Sequence, residues 1–159
     1  MARVQLATWR EAYADLLPAE ALDLPEVQAA AVWLHAIETP TSSRHRVLVA
    51  LENQDVVGFA ASTPAEDEDL DAATTAEVTA LLVVPRWGRR GHGSRLMAAS
   101  VDDWRRQGVD TAVLWAWETD EATTSFLQSN GWERDGKARV LDTGARLNRQ
   151  VRLHVSLAT

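Results

Sequence analysis

LLVVPRWGRRGHGSRLM, Leu81 to Met97, is an apolar run that meets a proline, passes through a turn with three glycines, and continues with helical character. A strand that enters a helix through such a turn aims successive backbone N–H groups at one point. The helix dipole adds roughly half a positive charge there. Gly91 and Gly93 let the main chain approach a guest closely, and Arg86, Arg89, Arg90 and Arg95 fall within ten positions. The guest implied is a phosphate or pyrophosphate.

Outward from this stretch, periodicity places the remaining elements. On the N-terminal side, RVLVALE (Arg46 to Glu52) reads as a buried strand, and Asn53-Gln54-Asp55 turns it into VVGFAAS (Val56 to Ser62), a hairpin. Trp9, Tyr13, Leu16 and Leu17 follow helical spacing up to Pro18, and a second helix opens at Pro25 with Val27, Ala31, Leu34 and Ile37 on one stripe. Pro64 to Thr75 is a polar loop holding the acidic run Glu66 to Asp69, and a strand follows from Glu77 to Val84. On the C-terminal side a helix runs from Gly93 to Gln107, with Leu96, Met97, Val101 and Trp104 inward, and Gly108 stops it. A strand Thr111 to Trp117, a helix from the N-cap Asp120 to Asn130-Gly131, and strands around Trp132 and Gln150 to Leu157 complete the chain. No repeat and no linker is found, and 159 residues predict one domain over 1–159.

Composition narrows the partners. Sixteen Lys+Arg against 23 Asp+Glu give a net charge of −7, which argues against nucleic acid and calls for a local reason for the arginine cluster. Unbroken apolar runs reach six residues, as in Ala29 to Leu34, too short for a membrane span, and no signal segment opens the chain. Cysteine is absent, which excludes disulfides, thiolate metal sites and cysteine nucleophiles, and fits a cytoplasmic setting. His35, His45 and His154 show no metal spacing with one another, so no metal site is expected. With no Gly-x-Ser-x-Gly elbow, a serine hydrolase is not indicated.

Three nucleotide-binding patterns compete for the loop. A Walker loop needs Gly-Lys-[Ser/Thr], which the chain lacks. A G-x-G-x-x-G dinucleotide fingerprint would need glycine where Leu96 stands, although Glu118, ending the next strand, could hold a ribose in a Rossmann-type oxidoreductase. The pattern [Q/R]-x-x-G-x-[G/A], which cradles the pyrophosphate of coenzyme A, matches Gly88-Arg89-Arg90-Gly91-His92-Gly93 except at its first position.

With this loop, the sequence resembles the GNAT-type N-acetyltransferases. Glu77 to Pro85 follow the family's Glu-x-x-x-Leu-x-Val-x-Pro strand, while Asp120, Phe126-Leu127 and Gly131-Trp132 stand where it has Asn, Phe-Tyr and Gly-Phe. The opening Ala7 to Pro18 is similar to the first helix of bacterial members. The resemblance implies an α/β (α+β) fold with a mixed, largely antiparallel central sheet flanked by helices. The family's first strand would precede the opening helix, yet the sequence begins inside it; either that strand is missing or something else covers its sheet edge. The activity implied is acetyl transfer from acetyl-CoA to a primary amine, by direct attack in a ternary complex. A non-catalytic acyl-CoA sensor is the alternative. An unprotected edge at Arg46 to Glu52 would favour a homodimer.

The resemblance also implies roles. Glu77 would be the general base, acting on the amine through a water; read from the residue alone, it is equally an ordinary strand-end carboxylate. The backbone of Leu82, Val83 and Val84 would serve the pantetheine arm and the oxyanion. Arg89, Arg90, Gly91, His92, Gly93 and Ser94 would surround the pyrophosphate, with His92 readable as filler. Asp120 is an N-cap that could also reach the cofactor arm. Leu127 replaces the tyrosine that protonates the leaving thiolate in many relatives, and the chain's sole tyrosine is Tyr13. Trp115 and Trp117, on one side of their strand, read as core. The acidic run reads as a solvated loop; bordering the acceptor groove, it would favour a polyamine-like or aminoglycoside-like amine.

Overall fold

The computed structural model describes residues 1–158. Three helices open the chain: α1 (Ala2–Ala12), the single turn α2 (Ala19–Leu22) and α3 (Glu26–Glu38). The hairpin β1 (Arg46–Glu52) and β2 (Asp55–Pro64) follows, then β3 (Thr75–Val83), a 3-10 turn at Pro85–Trp87 and α4 (His92–Arg106). The chain ends with β4 (Thr111–Trp117), α5 (Glu121–Ser129), β5 (Glu133–Asp142) and β6 (Leu147–Ser156). Among the described residues one six-stranded sheet results, in the order β1-β2-β3-β4-β6-β5, and only β3 and β4 run parallel. This is the expected mixed, largely antiparallel sheet. It overturns the Rossmann-type alternative, which needs a run of parallel strands joined by crossover helices.

Each face of the sheet has its own core. Ala76, Val78, Ala112, Leu114 and Ala116 pack with Met97 and Trp104 of α4 and Leu127 of α5. On the other face Val4 of α1 packs with Phe59 and Leu82, and Trp33 of α3 meets Phe59 edge-on at 5.0 Å. The contact reverses the expected orientation of α3. Trp33 and the buried Ala29 face inward, and the predicted stripe points out, with Val27 80% and Leu34 56% exposed. A tryptophan buries more area than any residue of that stripe, so its side of the helix docks. The first helix also stops earlier than its spacing suggested. Tyr13 closes it, so Leu16 is buried from the following turn, where its carbonyl accepts from Thr143 Oγ1 at 2.6 Å.

Two irregularities shape the middle of the sheet. In β3, Ala80 pairs with Ala61 while Val78 pairs with Ser62, so Thr79 is an extra residue, a β-bulge. The bulge switches which face each later residue of β3 addresses. In addition, β3 and β4 pair only from Thr75–Val78 to Thr111–Leu114, and beyond that they part. Among the described residues no strand precedes α1, and β1 lies at the edge of the sheet.

Candidate active site

The parting of β3 and β4 opens a cleft of about 380 Å³ between Val78–Leu82 and Leu114–Trp117, closed on the other side by Trp9, Tyr13 and Leu17. Further along β3, from Val83, a second cleft of about 630 Å³ lies between the glycine turn and α5. The two clefts follow one strand and end at the N-terminus of α4.

Main-chain geometry explains what this loop offers. Arg89 and Gly91 both adopt positive φ, 59° and 83°, which folds the turn back so that α4 starts at the cleft. Gly91 is the N-cap and no side chain caps the helix, leaving the N–H groups of the first turn free of side-chain acceptors. That donor set fits a pyrophosphate. Gly93 faces α5, where a Cβ would come into ordinary contact with the Phe126 ring at 3.4 Å.

The arginines divide. Arg89 lines the cleft. Arg90, expected there, turns away, its guanidinium 4.7 Å from the Trp87 ring centroid and 3.9 Å from Glu52. His92 contributes main chain alone. Its ring is 2% exposed, with Nε2 3.0 Å from Glu52 Oε1, and Nδ1 accepts from Arg95 at 2.8 Å. The histidine read as filler is therefore a brace between the turn and the β1–β2 hairpin.

Along β3, Val84 donates its N–H to Val57 O at 2.8 Å. A Cβ on Gly58 would strike Leu82 O at 2.9 Å, so Leu82 also presents its polar groups to β2. Alternation then turns those of Leu81 and Val83 toward the gap. Of the three residues Leu82, Val83 and Val84, only Val83 has its N–H on the cleft side.

Glu77 immediately precedes Val78, where the wall of the cleft begins, and is not itself part of that wall. Burial, then the neighbouring Asp67 and Glu66 carboxylates, raise its pKa, and Arg139 opposes them. Asp120 is an N-cap, as its residue type suggested: Oδ1 accepts from Thr123 N at 3.0 Å. Its Oδ2 accepts from Thr123 Oγ1 and from Tyr13 Oη, each at 2.7 Å. Three donors occupy this carboxylate. Burial and Asp120 push the Tyr13 hydroxyl pKa well above its ordinary value. Leu127 is fully buried in the core under α5, so position 127 cannot address the cleft. Glu118 is exposed and paired with Arg149.

Two expectations about the rim are corrected. Trp115 and Trp117 are half-buried and line the cleft instead of filling the core, because the strand parts from β3 where they stand. The acidic run is not simply solvated. Arg152, with its side chain 4% exposed, binds Asp67 at 2.8 Å, Asp69 at 2.6 Å and Asp135 at 2.6 Å, which straps the loop onto β6. Asp69 is held down to about 2 by that bond. Trp115 Nε1 donates to Asp67 at 3.0 Å, and Arg139 stacks 4.3 Å from the Trp115 centroid. Sequence spacing missed the Tyr13–Asp120 and Arg152 contacts, which join residues far apart in the chain; the rarity of tyrosine was the sole signal.

The sequence model described as the Acetyltransferase (GNAT) family matches residues 6–132. No curated protein sequence matches the chain. Among solved structures, it is similar to the PaiA N-acetyltransferase of Thermoplasma acidophilum in complex with coenzyme A, at 15% identity and a TM-score of 0.75, covering 98% of this chain and 89% of that one. It is likewise similar to YncA of Salmonella typhimurium with its cofactor acetyl-CoA, at 17% identity and a TM-score of 0.72, covering 99% and 87%. A ribosomal-protein-alanine N-acetyltransferase of Brucella melitensis matches at 15% identity with a TM-score of 0.74, over 98% and 91%. At such identities these likenesses establish the fold.

Proposed function

We propose, from the fact that this chain belongs to the GNAT acetyltransferase family, that it transfers an acetyl group from acetyl-CoA to a primary amine by direct attack in a ternary complex. The observation that carries the reading is the gap between β3 and β4, which leads to an uncapped helix N-terminus. The family uses acetyl-CoA, and the bound molecule supplies the acetyl group as a thioester. In this reading the first-turn N–H groups at His92, Gly93 and Ser94, together with Gly91 and Arg89, hold the pyrophosphate. The free edge of β3 orients the pantetheine arm, and Val83 N–H faces the oxygen on which negative charge develops during attack. Glu77 takes the proton of the incoming ammonium through a water; its raised pKa brings it closer to neutrality, where a base is most effective.

Tyr13 lines the β3–β4 cleft, but it would not serve as proton donor to a thiolate leaving group there. A thiol pKa of about 8.5 lies below even the ordinary tyrosine value of about 10, so the transfer is uphill, and the elevation at Tyr13 makes it more so. In this reading no side chain of the cleft would be needed to protonate the sulfur. A non-catalytic acyl-CoA sensor is the second reading, favoured by the burial of Leu127 and the lack of a proton donor for the thiolate. Thiol release with a panel of amines separates the two. Turnover above the hydrolysis background supports the enzyme; tight acetyl-CoA binding with no amine turned over supports the sensor. Among the described residues no helix is long and apolar enough to cross a membrane, and a cytoplasmic setting remains the reading that the absence of cysteine favours.

A further inference from the structure

The acceptor end of the β3–β4 cleft has an unusual wall. Trp9 from α1, Trp33 from α3, and Trp115 and Trp117 from β4 enclose about 380 Å³, with Tyr13 and Leu17 completing it. Two of these rings are fixed by their own hydrogen bonds, Trp33 Nε1 to Gln5 Oε1 at 2.7 Å and Trp115 Nε1 to Asp67 Oδ2 at 3.0 Å. The wall contains no lysine, arginine or histidine, and its one carboxylate, Asp120, already accepts three hydrogen bonds. The cations just behind it are also committed. Arg139 donates to Gln150 and stacks on Trp115, while Arg152 binds Asp67, Asp69 and Asp135. An acceptor carboxylate or phosphate would be desolvated with no cationic partner in this wall, and a second ammonium, held there beside the first, would meet no free carboxylate. A flat hydrocarbon body would find aromatic faces on several sides, and a single ammonium is attracted to those faces as it arrives.

We infer that the acceptor is a monoamine whose primary amino group is carried on an aromatic or branched hydrocarbon body, the arylalkylamine class. This rests on the acetyltransferase reading above and replaces the polyamine-like substrate that the acidic run suggested, since Asp67 and Asp69 are bound to Arg152 and neither Glu66 nor Glu68 lines the cleft. In the transfer, the amine nitrogen bonds to the acetyl carbon and the carbon–sulfur bond breaks with its electron pair on sulfur. The ammonium proton leaves through water to Glu77, and the nitrogen's second proton goes to solvent.

The test has two stages. Calorimetry with coenzyme A comes first; absence of binding would remove the acetyltransferase reading and this inference with it. Thiol release from acetyl-CoA is then compared for 2-phenylethylamine, tryptamine, spermidine, kanamycin, free amino acids and a short peptide with a free N-terminus. The expected result is a kcat/KM for the two arylalkylamines about 100-fold or more above every other acceptor. Comparable or better turnover of spermidine, kanamycin, an amino acid or the peptide overturns the inference while leaving acetyl transfer intact. Coenzyme A binding with none of these amines turned over overturns it as well. Trp117→Ala should raise KM for 2-phenylethylamine about tenfold or more with coenzyme A affinity unchanged, and Trp117→Phe should restore most of the loss. An unchanged KM in a folded Trp117→Ala protein would place the amine elsewhere.

Discussion

Burial on β3 and the Asp67 and Glu66 carboxylates strengthen the hold of Glu77 on its proton. The native chain keeps that proton where the unfolded chain has released it, so stability falls as pH rises from the ordinary carboxylate value of 4.5 through the raised native value. Glu77→Gln removes the penalty. Its melting temperature should exceed that of the wild type at about pH 8 and match it at about pH 3. The same variant should lose about 10²–10⁴-fold in kcat with coenzyme A affinity retained, if Glu77 is the base. A thermal melt and a rate assay on one sample check both. Tyr13→Phe should behave oppositely. Loss of its bond to Asp120 should cost about 1 kcal/mol of stability, yet kcat should fall less than about tenfold, because the thiolate leaves without a proton donor. Neither Tyr13–Asp120 nor Arg152 with its aspartates was legible in the sequence, since their partners lie 107 and 83 positions away for Asp120 and Asp69.

Elements whose character is set locally were legible at their ends. The strands Arg46–Glu52 and Thr111–Trp117 and the α5 caps Asp120 and Asn130 stand where alternation and capping chemistry put them. The orientation of α3 was not, because its apolar residues surround the helix and the partners that select Trp33, the Phe59 ring and Gln5 Oε1, lie elsewhere in the chain. The glycine turn lies between these cases: its residue types named a phosphate-type loop, but positive φ at Arg89 and the outward turn of Arg90 depend on the Glu52 and Trp87 contacts. Gly91→Val tests the turn. A β-branched residue at φ 83° is strained by about 1–2 kcal/mol, and its side chain would enter a space with Arg95 Nη1 only 3.2 Å from the Cβ. Calorimetry should show coenzyme A binding lost there and kept in Gly108→Ala, another positive-φ site with open surroundings. Arg152→Met should destabilise by about 3–5 kcal/mol at neutral pH, since Asp67 and Asp135 lose a buried partner. Asp69, held down to about 2, contributes its share above the ordinary carboxylate value and loses it as pH falls toward 2. The gap between variant and wild type in denaturant melts should therefore narrow in acid.

At the scale of the whole molecule, the sheet has a free edge at β1, where Val49 is 46% and Leu51 54% exposed. Antiparallel pairing of two copies about Val49 would set Arg46 of each opposite Glu52 of the other, so the edge is complementary to itself. Light scattering is expected to give twice the chain mass of 17.5 kDa, and a mass of 17.5 kDa at micromolar concentration would show that the edge stays unpaired. The proposed chemistry depends above all on the parted strands and the turn before α4 forming a coenzyme A site. Calorimetric titration of acetyl-CoA into the wild-type chain, with NADH in parallel, tests it most directly. Saturable heat at about one acetyl-CoA per chain and none for NADH is the predicted result; heat from NADH with none from acetyl-CoA would contradict it.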